Sequence, residues 1–389
     1  MTDNSIAQSR LTIRLIFLVQ ALATGSMFTR IPDIQVALGI DEAMLGIALL
    51  GQPVGAILTF LVASRVVERL GTRIVLLFGI PLAALSIALL AVAPTPLLLF
   101  LVFAFFGIMF AATNVAMNVE ADRVEVLSGR RLMNSCHGVW SIGQLVTVSV
   151  GALVRGLGAS PALHLGLIVP LIAIAATLII LPMREAPVRR HSGTTRKRII
   201  SLPTVATLLL VGYAIGPAVL EGAARNWSVI YMRDSFAAPA WVDTLTLPVF
   251  IGATVVGRLL ADMLVERFGL VPVARVLGAL SLCGLLVVVA APNLIWALFG
   301  FALIGIGVCV SFPLSTSAAA RLGDRPSSEN VAALTMTNQL LLLGSPALLG
   351  WLAASYGIRS SFLVIAPLVL LAIYLARYLA PREPSKAAA

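Results

Sequence analysis

A basic segment, residues 184–200, divides an otherwise apolar sequence into two halves that resemble each other. The letters V-E-R-L-G at 67–71 return as V-E-R-F-G at 265–269, and G-A-L at Gly151 returns as G-W-L at Gly350. Two related halves of hydrophobic segments joined by a polar connection are typical of transporters built from parallel internal repeats. The repeat therefore predicts a transport pathway between the halves.

The composition predicts an all-α membrane protein. The sequence is 59% hydrophobic and 11% charged, with a mean hydropathy of +1.02, whereas soluble domains carry about 25% charged residues. Apolar stretches of about 20 residues recur, each long enough to cross a hydrocarbon core of about 30 Å as a helix. The short alternating segments of a membrane β-barrel are absent from the sequence.

These stretches predict twelve transmembrane helices in two pseudo-symmetric six-helix bundles. The bundles comprise residues 1–183 and 201–389, and a cytoplasmic basic linker spans 184–200. The predicted spans are 11–31, 43–66, 74–93, 97–119, 132–155, 163–182, 203–225, 241–263, 272–291, 294–318, 331–354 and 360–380.

The net charge of +10 is distributed as a membrane-orientation signal. With a cytoplasmic N-terminus, 22 of the 27 Lys and Arg residues lie in inner segments or at inner helix ends. Such a bias places both termini in the cytoplasm by the positive-inside rule, and it makes anionic lipid headgroups, not nucleic acid, the partners of the basic residues. The outer side receives only Arg30, Arg155, Arg225, Arg233 and Arg359.

Cysteine and proline usage agrees with buried helices. Cys136, Cys283 and Cys309 fall inside predicted spans, without the spacing of a disulfide framework or a metal site. Proline is tolerated within transmembrane helices and marks kinks there. The prolines inside predicted spans are Pro53, Pro81, Pro170, Pro217, Pro248, Pro313, Pro346 and Pro367.

The loop after the second span, S-R-V-V-E-R-L-G-T-R at 64–73, resembles the loop signature of the major facilitator superfamily. Ser64 replaces the usual Gly and Glu68 the usual Asp, and the copy D-M-L-V-E-R-F-G at 262–269 departs in the same two places. The resemblance implies the twelve-helix fold and a conformational role for these loops. The residues concerned are Glu68, Arg69, Gly71, Arg73, Asp262, Glu266, Arg267 and Gly269.

Several shorter segments resemble the MosC-like branch of bacterial inner-membrane facilitators. They are T-R-I-P-D-I at 29–34, N-V-E at 118–120, H-G-V-W-S-I-G at 137–143, E-G-A-A-R-N-W-S at 221–228, S-F-P-L-S-T-S-A-A at 311–319 and Y-G-I-R-S at 356–360. This branch is associated with an inositol-derived amine. The resemblance implies a multi-pass protein of the bacterial cytoplasmic membrane with a sugar- or polyol-like solute.

A charge at membrane depth costs roughly 2.5 to 3.5 kcal/mol on insertion scales, so each buried ionisable residue requires an explanation. Glu120 ends the fourth span and His137 lies one turn into the fifth, which predicts similar depth for the two side chains. A carboxylate beside an imidazole can pass a proton. The pair is therefore either a proton-coupling switch or a static hydrogen-bonded lock.

At the outer ends of the first and seventh spans, the sequence predicts charged residues that could form a gate. Glu221 and Arg225 lie four residues apart and can form an ion pair within one helix. Since the first and seventh spans meet across the cleft in the superfamily, Arg30 or Asp33 could instead pair with Glu221 or Arg225. The two possibilities stay open on the sequence alone.

Spans one, four, seven and ten line the central cavity in the superfamily, and their polar residues are the predicted solute contacts. Amides, hydroxyls and a neighbouring aromatic face suit a neutral hydroxyl-rich solute, although each residue singly could also serve helix packing. The candidates are Gln20, Thr24, Asn114, Asn118, Asn226, Trp227, Ser311, Phe312 and Ser315, followed by Trp140, Asn338 and Gln339 from spans five and eleven.

The sequence therefore predicts a monomeric secondary transporter, with a small polar solute and protons as partners. It contains no Walker motif, H-E-x-x-H or G-x-S-x-G, so neither ATP hydrolysis nor an enzymatic activity, cofactor or metal site is expected. The fifth span lacks the Gly-Pro motif of drug/proton antiporters, which favours uptake. Drug or metabolite efflux and a transport-inactive sensor or scaffold are the alternatives.

Overall fold

The computed structural model describes residues 3–187, 202–236 and 238–380. Within them lie twelve helices long and apolar enough to cross a membrane, as the sequence predicted. They are α1 Ile6–Thr29, α2 Glu42–Phe60, α3 Thr72–Leu90, α4 Pro96–Ser128, α5 Met133–Gly156, α6 Pro161–Ile180, α7 Val205–Ser235, α8 Ala240–Phe268, α9 Leu270–Ala290, α10 Leu294–Ala320, α11 Glu329–Tyr356 and α12 Ile358–Leu379. Most of the predicted linker, residues 188–200, lies outside the described residues.

Two helices are much longer than the apolar stretches that predicted them. α4 has 33 residues and α7 has 31, so each rises nearly 50 Å at about 1.5 Å per residue and exceeds a hydrocarbon core of about 30 Å. Hydropathy detects only the lipid-embedded part, whereas a helix continues until a residue ends it. α4 ends where Gly129 adopts the left-handed conformation, with φ +62°.

Several membrane-spanning helices are interrupted, and a proline lies in the first turn after each of these interruptions. The helix resumes at Gly51 before Pro53, at Thr246 before Pro248, at Ser311 before Pro313, at Ser345 before Pro346 and at Ala366 before Pro367. Proline lacks an N–H and is therefore tolerated in a first helical turn, where that donor has no partner. Pro81, Pro170 and Pro217 instead lie within uninterrupted helices.

The two halves repeat each other in three dimensions. Across the interface α2 packs against α11 and α5 packs against α8, which are the same contact related by exchange of the halves. The repeated loops also share a backbone conformation, since Gly71 has φ +81° and ψ +157° and Gly269 has φ +85° and ψ +160°. The pseudo-symmetric bundles α1–α6 and α7–α12 thus agree with the sequence repeat.

We call the side where α6 ends and α7 begins the linker side, and the side where α1 ends and α2 begins the far side. On the far side one hydrophobic cluster runs through both bundles and includes Ile31 and Leu45 together with Trp227 and Leu349. On the linker side, by contrast, the clusters stay within a single bundle. The bundles therefore share one apolar core on the far side, whereas on the linker side each bundle keeps its own apolar cores.

Small residues bring the backbones of α2 and α11 together on the far side. A Cβ atom built on Gly46 would lie 2.5 Å from the Pro346 carbonyl oxygen, and one built on Gly350 would lie 3.0 Å from the Gly46 Cα atom. Only glycine fits such an approach between two helices. The far-side contact between the bundles therefore depends on this glycine pair.

Candidate functional site

A central cavity of about 370 Å³ lies between the bundles. Its size is within the range of small-molecule sites, about 300 to 1,000 Å³. Aromatic and thioether side chains line one part of it, and amides, a hydroxyl and charged groups line the rest. The lining residues are Thr24, Met27, Phe28, Gln52, Phe106, Phe110, Asn114, Met117, His137, Trp140, Gln144, Glu221, Arg225 and Arg258.

Five predicted solute contacts are at or directly behind the cavity wall. Thr24, Asn114 and Trp140 line it. Gln20 accepts a hydrogen bond of 2.7 Å from the Trp140 indole N–H, and Asn118 donates one of 3.2 Å to the Asn114 side-chain oxygen Oδ1. Gln20 and Asn118 therefore orient the residues that face the cavity.

The other predicted contacts do not line this cavity. Trp227 is 1% exposed and packs against Gly350 at the far-side contact, because that part of α7 is where the bundles meet. Ser315 donates a hydrogen bond to the Phe312 carbonyl oxygen within its own helix, 2.8 Å long. Trp227, Phe312 and Ser315 therefore lie outside the cavity wall. The other predicted contacts outside it are Asn226, Ser311, Asn338 and Gln339.

Three charged side chains of the C-terminal bundle reach the cavity. The Arg225 Nη2 atom lies 3.0 Å from the Glu221 Oε1 atom, so the ion pair within one helix is formed. Arg258 of α8 donates from Nε to the Cys309 carbonyl oxygen, 2.9 Å, and from Nη1 to the Ser141 hydroxyl oxygen of α5, 3.2 Å. Arg258 thereby links the two bundles at the cavity.

Arg258 was not among the sequence candidates, nor were Gln52 and Gln144. A signal was present for Arg258, since it is a charge inside a predicted apolar span, and such residues mark functional sites in membrane proteins. Gln52 and Gln144 were missed because they come from α2 and α5, which the resemblance does not place first among the cavity-lining helices.

The expected contact between Glu120 and His137 is not formed. Both Glu120 oxygens are already engaged: the Thr72 hydroxyl donates to Oε2 and the Ala186 N–H donates to Oε1, each at 2.7 Å. His137 lines the cavity instead, with its ring edge-on to Phe17 at 5.3 Å between centroids. The prediction placed both residues at similar depth, but depth alone does not determine which way a helix turns a side chain.

The predicted gate pairing of Arg30 or Asp33 with Glu221 or Arg225 is also absent among the described residues. Arg30 donates to Asp33 at 3.0 Å and to His164 Nδ1 at 2.9 Å, all within the N-terminal bundle. Glu221 and Arg225 lie at the cavity, further from the far side than the prediction assumed.

A different residue makes the far-side connection. Arg155 binds the Asp33 carboxylate, with Nη2 at 2.8 Å from Oδ1, and its Nη1 atom reaches across to the C-terminal bundle. There Nη1 donates to the Ala240 carbonyl oxygen at 2.7 Å and to the Thr244 hydroxyl oxygen at 2.8 Å. The sequence signal was weaker than that of Arg258, because Arg155 is the last residue of a predicted span and was assigned to the outer side.

A second polar contact joins the bundles on the same side. Arg233 at the end of α7 donates from Nη1 to the Gln35 amide oxygen at 3.1 Å, and its Nη2 atom lies 3.8 Å from Glu42. Gln35 in turn donates to Glu42 at 2.9 Å. The far side is therefore closed by two arginines, one from each bundle, in addition to its apolar core.

The repeated loops lie on the linker side. Arg73 donates its backbone N–H to Glu185 at 2.9 Å and its guanidinium group to the Leu181 carbonyl oxygen. Arg267 stacks over the Phe268 ring at 5.3 Å. Within the described ranges, no ion pair involves the charged members of the predicted set, Glu68, Arg69, Arg73, Asp262, Glu266 and Arg267; the two glycines, Gly71 and Gly269, form the turns.

Known proteins are similar in sequence to this chain along most of its length. The sequence profile of the Major Facilitator Superfamily matches residues 14–342. The uncharacterized transporter y4wD of Sinorhizobium fredii is 29% identical over 364 residues, which are 92% of this chain and 95% of y4wD. The membrane protein MosC of Rhizobium meliloti is 25% identical over 349 residues, 90% of this chain and 84% of MosC.

Solved structures share the fold at much lower sequence identity. A mutant form of the nucleoside transporter NupG superposes with a TM-score of 0.78 at 14% identity, covering 95% of this chain and 99% of NupG. A D-xylose-proton symporter superposes with a TM-score of 0.67 at 14% identity, covering 97% of each chain. With its twelve membrane-spanning helices in two repeated bundles and the profile match across most of the sequence, this chain is a multi-pass membrane transporter of the Major Facilitator Superfamily.

Proposed function

We propose that the chain is a secondary active transporter that moves a small polar solute by alternating access, in the direction of uptake and with proton coupling. The observation that carries the proposal is the unequal packing of the bundles. One apolar core joins them on the far side, whereas on the linker side each bundle keeps its own core. Rocking of the bundles would exchange these arrangements around the central cavity.

The proposed orientation places the linker side in the cytoplasm of a bacterium. It rests on the bias of Lys and Arg residues toward that side, a count that includes all six Lys and Arg residues of segment 184–200. In this orientation the structure corresponds to an inward-facing state, with Arg155 and Arg233 closing the outer side. We further propose that segment 184–200 acts as a tether between the bundles at the membrane surface.

The proposed solute is sugar- or polyol-like. Asn114, Thr24, Gln52 and Gln144 offer donors and acceptors for hydroxyl groups, and the Trp140 indole ring offers a face for the C–H side of a sugar ring. Among the structural neighbours, a fucose-proton symporter superposes with a TM-score of 0.63 at 14% identity. That likeness supports the choice of sugars as the first solutes to test.

For proton coupling, His137 is the stronger of the two predicted residues. It lines the cavity beside Arg258 and Glu221, so a proton on its ring would act directly on a bound solute. Glu120 accepts hydrogen bonds from the Thr72 hydroxyl and the Ala186 N–H, and these contacts connect the linker-side end of α3 and the segment after α6 to α4. We therefore assign the proton to His137 and a conformational role to Glu120.

Counterflow in proteoliposomes tests the proposal. Vesicles loaded with an unlabelled sugar, inositol or amine are placed in a labelled pool of the same compound, and transient accumulation is expected for the transported class. An inward proton gradient should then stimulate uptake by the natural protein but not by His137→Asn. Absence of counterflow with every solute that stabilises the purified protein would support the sensor alternative instead.

Drug or metabolite efflux remains the competing transport function. Phe28, Phe106, Phe110, Met27 and Met117 form an apolar part of the cavity wall, which also suits amphipathic compounds. Transport assays with both vesicle orientations separate the two, since an efflux antiporter exchanges its solute against protons and a symporter moves both in one direction.

A further inference from the structure

The charges that line the central cavity do not balance. Arg225 and Arg258 contribute two positive charges, whereas Glu221 is the only acidic residue among the lining side chains of the described chain. Glu221 forms its ion pair with Arg225 at 3.0 Å, and no acidic group of the described residues lies within ion-pair distance of Arg258. His137, neutral or protonated, cannot supply the missing negative charge.

The hydrogen bonds of Arg258 go to uncharged groups only. Its partners are the Cys309 carbonyl oxygen and the Ser141 hydroxyl oxygen, both neutral. The Nη2 atom donates no hydrogen bond within the described chain, so it is available at the cavity that Arg258 lines. Glu221 is close enough to interact with both arginines, so the three charged groups together carry one net positive charge. An uncompensated charge near the centre of a membrane protein is costly, and a bound anion would remove that cost.

We propose that the solute is a small organic anion, a hydroxylated carboxylic acid, whose carboxylate binds the Nη1 and Nη2 atoms of Arg258. The inference rests on the proposed transport function and narrows the solute class within it. A planar guanidinium group matches a carboxylate with two parallel hydrogen bonds, which an ammonium or amide group cannot do. The side-chain amides of Gln52, Asn114 and Gln144 would form hydrogen bonds with the hydroxyl groups of the same molecule.

The position of Arg258 also connects binding to the arrangement of the bundles. Its Nη1 atom, on α8, contacts Ser141 of α5 at 3.2 Å, and the Ser141 hydroxyl donates to the His137 carbonyl oxygen at 3.0 Å. A carboxylate bound to Nη1 and Nη2 would compete with Ser141 for the guanidinium group. Solute binding would thereby alter a contact between the two bundles at the cavity.

Matched pairs of probes test the proposal with the full-length purified protein. The pairs are gluconate with sorbitol and glucuronate with glucose, which differ mainly in the carboxylate, and the acids are compared with potassium chloride at equal ionic strength. The measurement is the rise in melting temperature with probe concentration. We expect at least one acid to act at a concentration about tenfold or more below its neutral counterpart, as a charge-assisted pair requires.

Arg258→Gln should abolish the preference for the acid, and Arg275→Gln, an exposed arginine of the same bundle, should retain it. The ligand-free melting temperature shows that each variant is folded. Equal action of acid and neutral compound, or no shift with either acid, would overturn the proposal.

Counterflow separates this inference from the transport proposal. Exchange of neutral sugars by both the natural protein and Arg258→Gln would leave transport standing and refute the anion. Arg258-dependent binding of an acid without any exchange would leave the anion site standing and refute transport.

Discussion

Arg155 and Asp33 form a partly buried ion pair, with 2.8 Å between Nη2 and Oδ1, and the same guanidinium group donates to Thr244 of the opposite bundle. Arg155 is 8% exposed, so its interactions are poorly screened by water. Because Arg30 also donates to Asp33, one carboxylate anchors two arginines at the far side. The bundles are thus held together there by a charge network centred on α5 and on the segment between α1 and α2.

Arg155→Gln should open the far side. Removing one member of a fully buried charged pair costs about 2 to 5 kcal/mol. Because the Asp33 side chain is 22% exposed, we expect a smaller cost of about 1.4 kcal/mol, which corresponds to tenfold in an equilibrium constant. In a background with the three cysteines replaced by alanine, a cysteine placed at the cavity residue Thr24 should react about tenfold faster with an impermeant maleimide added from the far side.

Arg359→Gln is the control, since Arg359 lies on the same side but donates only to carbonyl oxygens of Val289 and Ala291 in its own bundle. Unchanged labelling in Arg155→Gln would show that the network does not hold the far side closed.

Gly350→Leu should prevent closure of the far side by steric overlap. A side chain at this position would meet Gly46 and the indole ring of Trp227, each 3.0 Å from the Cβ atom. We expect counterflow to be lost while the protein still folds in the membrane, because only the packed arrangement is excluded. Gly344→Ala in the same helix is the control, as its Cβ atom would meet nothing within 4 Å. Full activity in Gly350→Leu would contradict the proposed rocking motion.

Glu120→Gln should lower the stability of the linker side. The amide oxygen can still accept from the Ala186 N–H and the amide NH₂ can donate to the Thr72 hydroxyl oxygen, but both hydrogen bonds lose the charge of the carboxylate. The variant also loses the carboxylate that lies 3.7 Å from the Arg123 Nη1 atom. A hydrogen bond to a charged group contributes about 1 kcal/mol more than one between neutral groups. The melting temperature in detergent should therefore fall, whereas Asp122→Asn on an exposed position of α4 should leave it unchanged. Equal melting temperatures for both variants would be evidence against the assigned role.

The stability contributed by the loop before α11 should depend on pH. The Asn330 amide donates to the Asp324 carboxylate at 2.6 Å, and this hydrogen bond lowers the pKa of Asp324 below its usual value. A lowered folded-state pKa means that the stabilisation is present above the unfolded-state pKa of about 3.9 and is lost as the pH falls toward the folded-state value. The difference in melting temperature between the natural protein and Asp324→Asn should be present at neutral pH and shrink below about pH 4. A difference independent of pH would exclude this carboxylate as its source.

The membrane-spanning segments and their repeat could be predicted from the sequence because each depends on local composition. A helix of about 20 apolar residues is stable in lipid whatever its neighbours are, so hydropathy alone indicated twelve spans. The ends of α4 and α7 were not predicted, since those helices continue beyond the apolar window until a helix-ending residue. The Glu221–Arg225 pair was predictable as one of two options, because four residues bring side chains to one helical face.

The partners of Glu120, Asp33 and Arg258 were decided only by tertiary structure. Each makes at least one contact with a residue more than 45 positions away, as Thr72, Arg155 and Cys309 show. Such contacts depend on how each helix is rotated about its axis and on which helices face each other, and a small rotation moves a side chain to another neighbour. The sequence by itself thus determined what spans the membrane and that the halves are related, while the packing of the helices decided which charges meet and where the cavity lies.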